Sequence, residues 1–299
     1  MANPTPSINQ QMLNTAAQAT RLFDEDTVEL IRQFVLSQQN PDGGFRGRSS
    51  ESDLYYTLFA IECLQALQYQ NFDKVKIYIQ SFIDNDNLDF VHTACLIRSL
   101  ARLSMLEVNL TQALLIRLNQ YKTPEGLFRM ETEQPSIYGN FLGIAAYEAC
   151  SASFEQPDLL ISMIQNLKTP DGAYADGPGM DMGTTTVTAA AVILLSHLHA
   201  DNPNPAIEWL IARKNQSGGF VATTHAPLPD LLSTATTLFA LKITGHSQKT
   251  IDESTQNFIE SVWTDSGGFC GTIFDPEPDV EYTFYGLLAA GVHAECIGQ

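Results

Sequence analysis

The stretch QQNPDGGF (Gln38–Phe45), followed eight residues later by DLYYTLFAIECLQAL (Asp53–Leu67), decides how the rest of the chain is read. Its first part closes an amphipathic run, EDTVELIRQFVLSQQ (Glu25–Gln39), whose apolar residues fall three and four apart. That spacing predicts a helix with one face on a core. The glycines stop it, because glycine enters the left-handed conformation that ends a helix. The aromatic after them plugs the gap to the next element. Asp53 then caps a second helix by accepting its first N–H groups at the positive end of the dipole. This second helix is apolar nearly all round, so it is expected in the interior.

Both parts recur along the chain. Glycine–aromatic turns stand at YKTPEGLF (Tyr121–Phe128), LKTPDGAY (Leu167–Tyr174), KNQSGGF (Lys214–Phe220) and VWTDSGGF (Val262–Phe269). The acidic cap, a threonine four residues on and an apolar run recur from Asp89, Asp181, Asp230 and Asp279. A degenerate copy, PSIYGNFLGIAAYEA, starts at Pro135, and the second repeat lacks its glycine turn. With the threonine as anchor, the markers fall at 57, 93, 139, 185, 234 and 283, intervals of 36 to 49 residues. Such periods belong to helical-pair repeats. Six outer–inner pairs without a strand pattern give an all-α architecture of two layers, open as a solenoid or closed as a ring.

Composition narrows the function. The chain has 299 residues, 44% hydrophobic and 17% charged, with a formal net charge of −18. That supports a large core and no disorder, and it excludes a basic nucleic-acid or anionic-membrane surface. The longest apolar run, TAAAVILLSHL, is too short to span a bilayer, so no integral membrane segment is expected. The polar N-terminus, with no apolar signal core, and five scattered cysteines (Cys63, Cys95, Cys150, Cys270, Cys296) point to a cytoplasmic protein with reduced thiols.

The Q-x-x-x-G-G-F…D…Y-T repeat resembles the prenyltransferase and squalene-oxidase repeat, found in protein prenyltransferase β subunits and in squalene–hopene and related terpene cyclases. The resemblance covers roughly residues 25 to 295. It implies an all-α fold, an α/α toroid of about six helical hairpins with a funnel opening where the inner helices begin. Residues 25–299 would form this single domain, behind a polar extension of residues 1–24. The family's zinc-dependent members carry D-V-C-Y-S in a late repeat and a histidine in the next. Asp230 matches the aspartate ligand, but Leu232 stands at the cysteine and Tyr282 at the histidine. The basic diphosphate-binding residues before that motif are absent, VATTHAPLPD leaving only His225 there. No metal site and no cofactor are therefore expected.

Residues shared by most repeats serve the repeat, so Asp53, Asp89, Asp181, Asp230 and Asp279 read first as helix caps. Chemistry is sought where repeats differ. Two positions after the cap stand Tyr55, Val91, Ile137, Gly183, Leu232 and Glu281; one further on stand Tyr56, His92, Tyr138, Thr184, Ser233 and Tyr282. The resemblance implies that the first set lies at the funnel mouth, where the zinc enzymes keep their cysteine and the protonating cyclases, with D-x-D-D-T, their catalytic acid. Only DVEYT has an acid there, making Glu281 the candidate general acid and Asp279 its support. Tyr55, Tyr56, Phe59, Tyr138, Phe141, Tyr282, Phe284 and Tyr285 would line the site, with His92 at its edge. The bland readings are a first-turn carboxylate favoured by the dipole, ordinary inner-layer packing and a satisfied histidine.

No P-loop, H-E-x-x-H, G-x-S-x-G or D-D-x-x-D motif occurs, and DNDNLD from Asp84 reads as a solvated loop. Three functions stay open. The first is an isoprenoid-processing enzyme, foremost a proton-initiated cyclase acting on a hydrophobic isoprenoid-type small molecule. The second is a zinc-free prenyltransferase β-subunit-like protein with a possible protein partner chain. The third is a non-catalytic toroid that binds a peptide, lipid or cation.

Overall fold

A computed structural model describes residues 6–130, 132–200 and 203–298. Among the described residues, thirteen α-helices run in the order α1 (Ile8–Ala17), α2 (Glu25–Ser37), α3 (Leu54–Ala66), α4 (Asp73–Gln80), α5 (Phe90–Arg102), α6 (Val108–Asn119), α7 (Ile137–Ala149), α8 (Pro157–Asn166), α9 (Thr185–His197), α10 (Asn204–Ile211), α11 (Leu231–Ile243), α12 (Glu253–Ser261) and α13 (Val280–Ile297). From α3 onward, alternate helices pack as neighbours in the order α3, α5, α7, α9, α11, α13, and α13 returns to α3. The ring is closed: a toroid, not an open solenoid.

Burial separates the two layers as amphipathicity predicts. Outer α2 buries only Ile31, Phe34 and Val35, whereas inner α3 buries ten of its thirteen residues. One device joins the layers in every repeat that has a turn. The backbone N–H of Phe45 donates to Thr57 Oγ1 at 2.9 Å, that of Tyr174 to Thr188 Oγ1 at 3.0 Å, and that of Phe220 to Thr234 Oγ1 at 2.9 Å. In the sixth repeat Phe269 N–H reaches Thr283 Oγ1 at 3.2 Å. The threonine hydroxyl also donates to the carbonyl of the cap residue, at 2.7 Å for Thr234–Asp230 and Thr283–Asp279. The anchor threonine thus pins the glycine–aromatic turn to the start of the inner helix. A buried N–H in the turn would otherwise lack an acceptor.

The glycine of the turn is needed for space as well as for its backbone angle. Gly43 has φ +93°, and a Cβ there would lie 2.2 Å from the Lys74 carbonyl at the start of α4. Gly267, φ +93°, lies against the Leu30 carbonyl of α2, so the last turn packs on the first outer helix and closes the outer layer too.

Two register assignments change. In the fourth repeat the cap is Thr184, whose hydroxyl accepts from Val187 N–H, and the anchor is Thr188; Asp181 is exposed in the preceding loop and caps nothing. The run TTTVT offers a threonine in several registers, and a longer connector moves the pairing three residues on. In the third repeat the cap is Ser136 and the anchor is Asn140, whose Oδ1 accepts from Phe128 N–H at 3.0 Å. Asparagine supplies the same acceptor as threonine, which hid the alignment. The positions two after the cap are therefore Tyr55, Val91, Tyr138, Thr186, Leu232 and Glu281.

The N-terminal segment forms α1 and a short 3₁₀ turn (Gln18–Arg21), packed across the far end of the ring, where the inner helices finish. Asn9 Nδ2 donates to the Ala145 carbonyl of α7, Arg102 of α5 donates to the Asn9 carbonyl, and Lys242 of α11 donates to Thr15 Oγ1. A Cβ on Gly291 of α13 would lie 1.8 Å from the Thr15 carbonyl, so α1 rests directly on that helix.

Candidate active site

Most of each inner helix is sealed, yet the position two after the cap is partly open on all six. Tyr55, Val91, Thr186, Leu232 and Glu281 are half-buried, and Tyr138 keeps 37% of its surface. Four residues on, one turn deeper, exposure falls: Thr236 and Tyr285 stay half-buried, while Phe59, Cys95, Leu142 and Ala190 retain 3–8%. Two turns down, nine after the cap, the layer is almost shut: Glu62, Arg98, Ala145, Ile193, Phe239 and Leu288 show 0–8%. A helix rises 1.5 Å per residue, so the mouth layer lies about 10 Å from this closed layer.

Glu281 stands in the mouth layer. Tyr55 Oη donates to Glu281 Oε1 at 2.7 Å, from the adjoining helix across the ring's closing seam. Burial pushes the Glu281 carboxyl above the usual carboxylate range; the Tyr55 bond opposes this, Asp279 adds to it and Arg48 opposes it. Aromatic rings surround the pair: Tyr55 lies edge-on to Phe59 at 5.0 Å, and Phe59 meets Phe284 and Tyr285, each at 5.6 Å. Burial raises the phenol of Tyr55 far above its ordinary value and that of Tyr138 to about 12, so both remain protonated.

Asp279 is first a cap. It accepts from Tyr282 N–H at 2.8 Å, and its other oxygen faces Arg48 Nε at 3.4 Å. Burial raises its pKa against those two partners. Arg48 also donates to Asp275 at 2.5 Å, so this cation is held between two carboxylates at the rim. His92 bridges two caps, Nδ1 to Asp89 at 2.8 Å and Nε2 to Asp53 at 2.9 Å. The Asp53 bond leads in raising its pKa to about 9, so it is a cation in neutral water.

The remaining aromatic candidates divide by position. Tyr138, under the corrected register, joins Tyr55 and Glu281 in the mouth layer. Tyr56 and Tyr282, three after the cap, turn toward the loops instead. A Cβ on Gly47 would lie 2.2 Å from Tyr56, and one on Gly271 would lie 2.5 Å from Tyr282. Phe284 is fully buried behind Phe59, and Phe141 is half-buried against the core. Sequence reasoning passed over Arg48, Glu62 and Arg98. The signal for the last two was a charge on an otherwise apolar inner helix. Arg98 Nη2 donates to Glu62 Oε1 at 3.0 Å, and Arg102 Nε reaches the same oxygen at 3.4 Å.

The residues do not fit a zinc centre. Asp230 is committed to Ser233 N–H at 2.7 Å, beside Leu232, and no group of three or more His, Cys, Asp or Glu side chains among the described residues could hold a metal ion.

The sequence matches the prenyltransferase alpha-alpha toroid domain over residues 10–85, 78–221 and 186–296. The chain belongs to that family. No curated protein matches it in sequence. Among solved structures, a substituted form of the type II terpene cyclase MstE from Scytonema, bound to geranylgeranyl dihydroxybenzoate, superposes with a TM-score of 0.66 at 14% identity, covering 94% of this chain and 98% of that one. The protein geranylgeranyltransferase-I of Candida albicans, complexed with GGPP, gives 0.52 at 15% identity, with coverage of 93% and 81%. An inactive alpha-1,6-mannanase variant of Salegentibacter gives 0.56 at 12%, with coverage of 91% and 99%. At these identities the likeness concerns the fold, and the same toroid serves prenyl and sugar ligands alike.

Proposed function

We propose that this toroid is a proton-initiated terpene cyclase with Glu281 as its general acid. The observation that carries the reading is a carboxyl of raised pKa in the mouth layer, flanked by Tyr55, Phe59 and Tyr285. A carboxylic acid kept neutral by burial can protonate an alkene. With Tyr55 on Oε1, Oε2 is the oxygen that would hold the proton. Transfer to a terminal alkene gives a tertiary carbocation and leaves Glu281 as carboxylate. The next alkene attacks the cation, a ring C–C bond forms, and loss of a proton restores a neutral product. The net change is an isomerisation without oxidant or metal. The faces of Tyr285 and Phe59 would stabilise the cation. Protonated Tyr55 and Tyr138 present neutral phenols rather than nucleophilic phenolates.

The rim supports this reading over a diphosphate-dependent prenyl transfer. Arg48 and His92 are each held by two carboxylates, which leaves neither disposed to take a diphosphate. The test is turnover of linear prenyl alcohols by the wild type and by Glu281→Gln, followed by product analysis. Loss of roughly 10²–10⁴-fold in the variant is expected. Equal cyclisation by both proteins, or none by the wild type, would overturn the assignment.

A further inference from the structure

At the far end of the ring, the first turn of α1 and the ends of α3, α5 and α7 line a cavity of about 380 Å³. Its polar wall is made by Asn9, Gln10, Gln65, Arg98, Arg102 and Glu148. A second cavity of about 350 Å³ adjoins it, sharing Leu13, Gln65 and Arg102, and is also lined by Lys76 of α4. The two form one cleft beside α1.

Some polar groups of this wall are spent on each other. Arg102 donates from Nη1 to Gln10 Oε1 at 3.1 Å and from Nη2 to the Asn9 carbonyl at 2.7 Å, and its Nε reaches Glu62. Glu148 accepts from Ile8 N–H at 2.9 Å and meets His197 Nε2 at 2.7 Å. Others are unanswered. Arg98 keeps only 8% of its surface; its Nη2 serves Glu62, but its Nε has no partner among the described residues. Asn9 keeps 7%; its Nδ2 donates to the Ala145 carbonyl, but its Oδ1 has no donor among the described residues. Lys76 is half-buried and pairs with no carboxylate among the described residues. A buried donor or acceptor without a partner is costly, so each marks a place for a ligand atom.

Charge gives the class of ligand. In a chain whose formal net charge is −18, this cleft sets Arg98, Arg102 and Lys76 against Glu62. The first turn of α1 adds the positive end of its dipole, with Ser7 Oγ accepting from Gln10 N–H beside the cavity. A guanidinium beside a helix N-terminus suits a carboxylate. Lys76, in the adjoining cavity, suits a second one, and Asn9 Oδ1 suits a hydroxyl donor. We propose that the cleft binds a small hydroxyl-bearing dicarboxylate, one carboxylate at Arg98, the other at Lys76 and the hydroxyl on Asn9. The bound molecule joins α1 to α4 and α5 and so fastens the N-terminal helix to the ring. None of these residues lies in the mouth layer, so the site stands apart from any role of Glu281.

Calorimetric titration of the full chain with malate, succinate, lactate, inorganic phosphate and glycerol tests it. Malate should bind tightest, succinate about fivefold more weakly for want of the hydroxyl, and lactate about tenfold more weakly for want of the second carboxylate. Glycerol should not bind, and malate should raise the melting temperature in a concentration-dependent way. Lys76→Met, on the outer layer, should lower malate to the affinity of lactate and leave lactate unchanged. Ala149→Leu, which fills the first cavity without altering a charge, should abolish binding of both, and melting without ligand checks that it folds. No binding of malate, equal binding of lactate or succinate, tighter binding of phosphate, or malate binding untouched by Lys76→Met would each overturn the proposal.

Discussion

The capping residues at the mouth of the ring and the basic residues at its far end are placed by the same physical cause. At the mouth the inner helices begin, their dipoles present partial positive charge, and Asp53, Asp89, Asp230 and Asp279 cap them. At the far end they finish, and Arg102, His197 and Lys242 stand in the last turns of α5, α9 and α11. Each of these signs matches the helix end it occupies, while Glu148 and Glu295, in the last turns of α7 and α13, run against the dipole and are paired with His197 and Lys242. Acidity at the mouth is therefore mostly architecture. What separates Glu281 from the other mouth carboxylates is that Asp279 already caps its helix. Its own carboxyl bonds a tyrosine from the neighbouring repeat.

The far end should show the largest energetic response. Glu62→Ala would leave Arg98 buried without its carboxylate, and breaking one side of such a pair costs about 3–5 kcal/mol. Urea unfolding measures it. If the loss is within 1 kcal/mol or so, the pair is solvated. At the mouth a smaller loss is expected from the repeat's own lock. Thr234→Val removes the acceptor for Phe220 N–H and the donor to Asp230, leaving a buried amide unpaired at about 1–3 kcal/mol. Thr234→Ser should recover most of this, and an equal loss in both variants would assign the effect to packing instead.

How far the sequence could be read follows the same division. The six-pair toroid was legible because glycine turns and apolar inner helices are repeated requirements, and each repeat confirms the others. The register of repeats three and four was not. Asn140 and Thr188 do the work of the anchor threonine, but hydrogen-bond chemistry, not residue identity, is what the position demands. Glu281 stood out as an exception among six copies. Its partner Tyr55 lies 226 residues away in sequence, and only closure of the ring brings them together. The role of α1 was invisible for a related reason: polar residues such as Asn9 and Thr15 are buried there because they bond to backbone and side chains of the ring.

The Tyr55–Glu281 bond allows the comparison of the mouth carboxylates to be sharpened by pH. The phenol stabilises the carboxylate form, so Tyr55→Phe should let burial raise the Glu281 pKa further. A general acid works while protonated, and its activity falls as pH rises through its pKa. The high-pH limb of kcat/KM in Tyr55→Phe should therefore move upward. Thr236→Val, one turn deeper on α11 and without a bond to Glu281, should leave that limb in place. An unmoved limb in Tyr55→Phe would separate Glu281 from the proton transfer.

The smallest expected effect lies at the rim, in the two caps joined by His92. Its folded pKa of about 9 stands above the ordinary 6.5, led by the bond to Asp53, so the protonated ring stabilises the fold fully below pH 6.5. That contribution is lost as pH rises through about 9. Asp53 shifts the other way. Burial would raise it, but the bond and charge of His92 and the N–H groups of Tyr55 and Tyr56 outweigh burial and hold it low. Its share is present above its ordinary value of 3.8 and disappears as pH falls through the depressed value. The bridge is thus complete between these limits, across pH 4–6.5. About a third of each side chain reaches solvent, which screens the interaction to about 1 kcal/mol or less. His92→Ala should accordingly be less stable than the wild type by that amount at pH 6, and the gap should close by pH 10. A gap that persists at pH 10 would show that the imidazole holds the two caps together by packing or neutral hydrogen bonds rather than by charge.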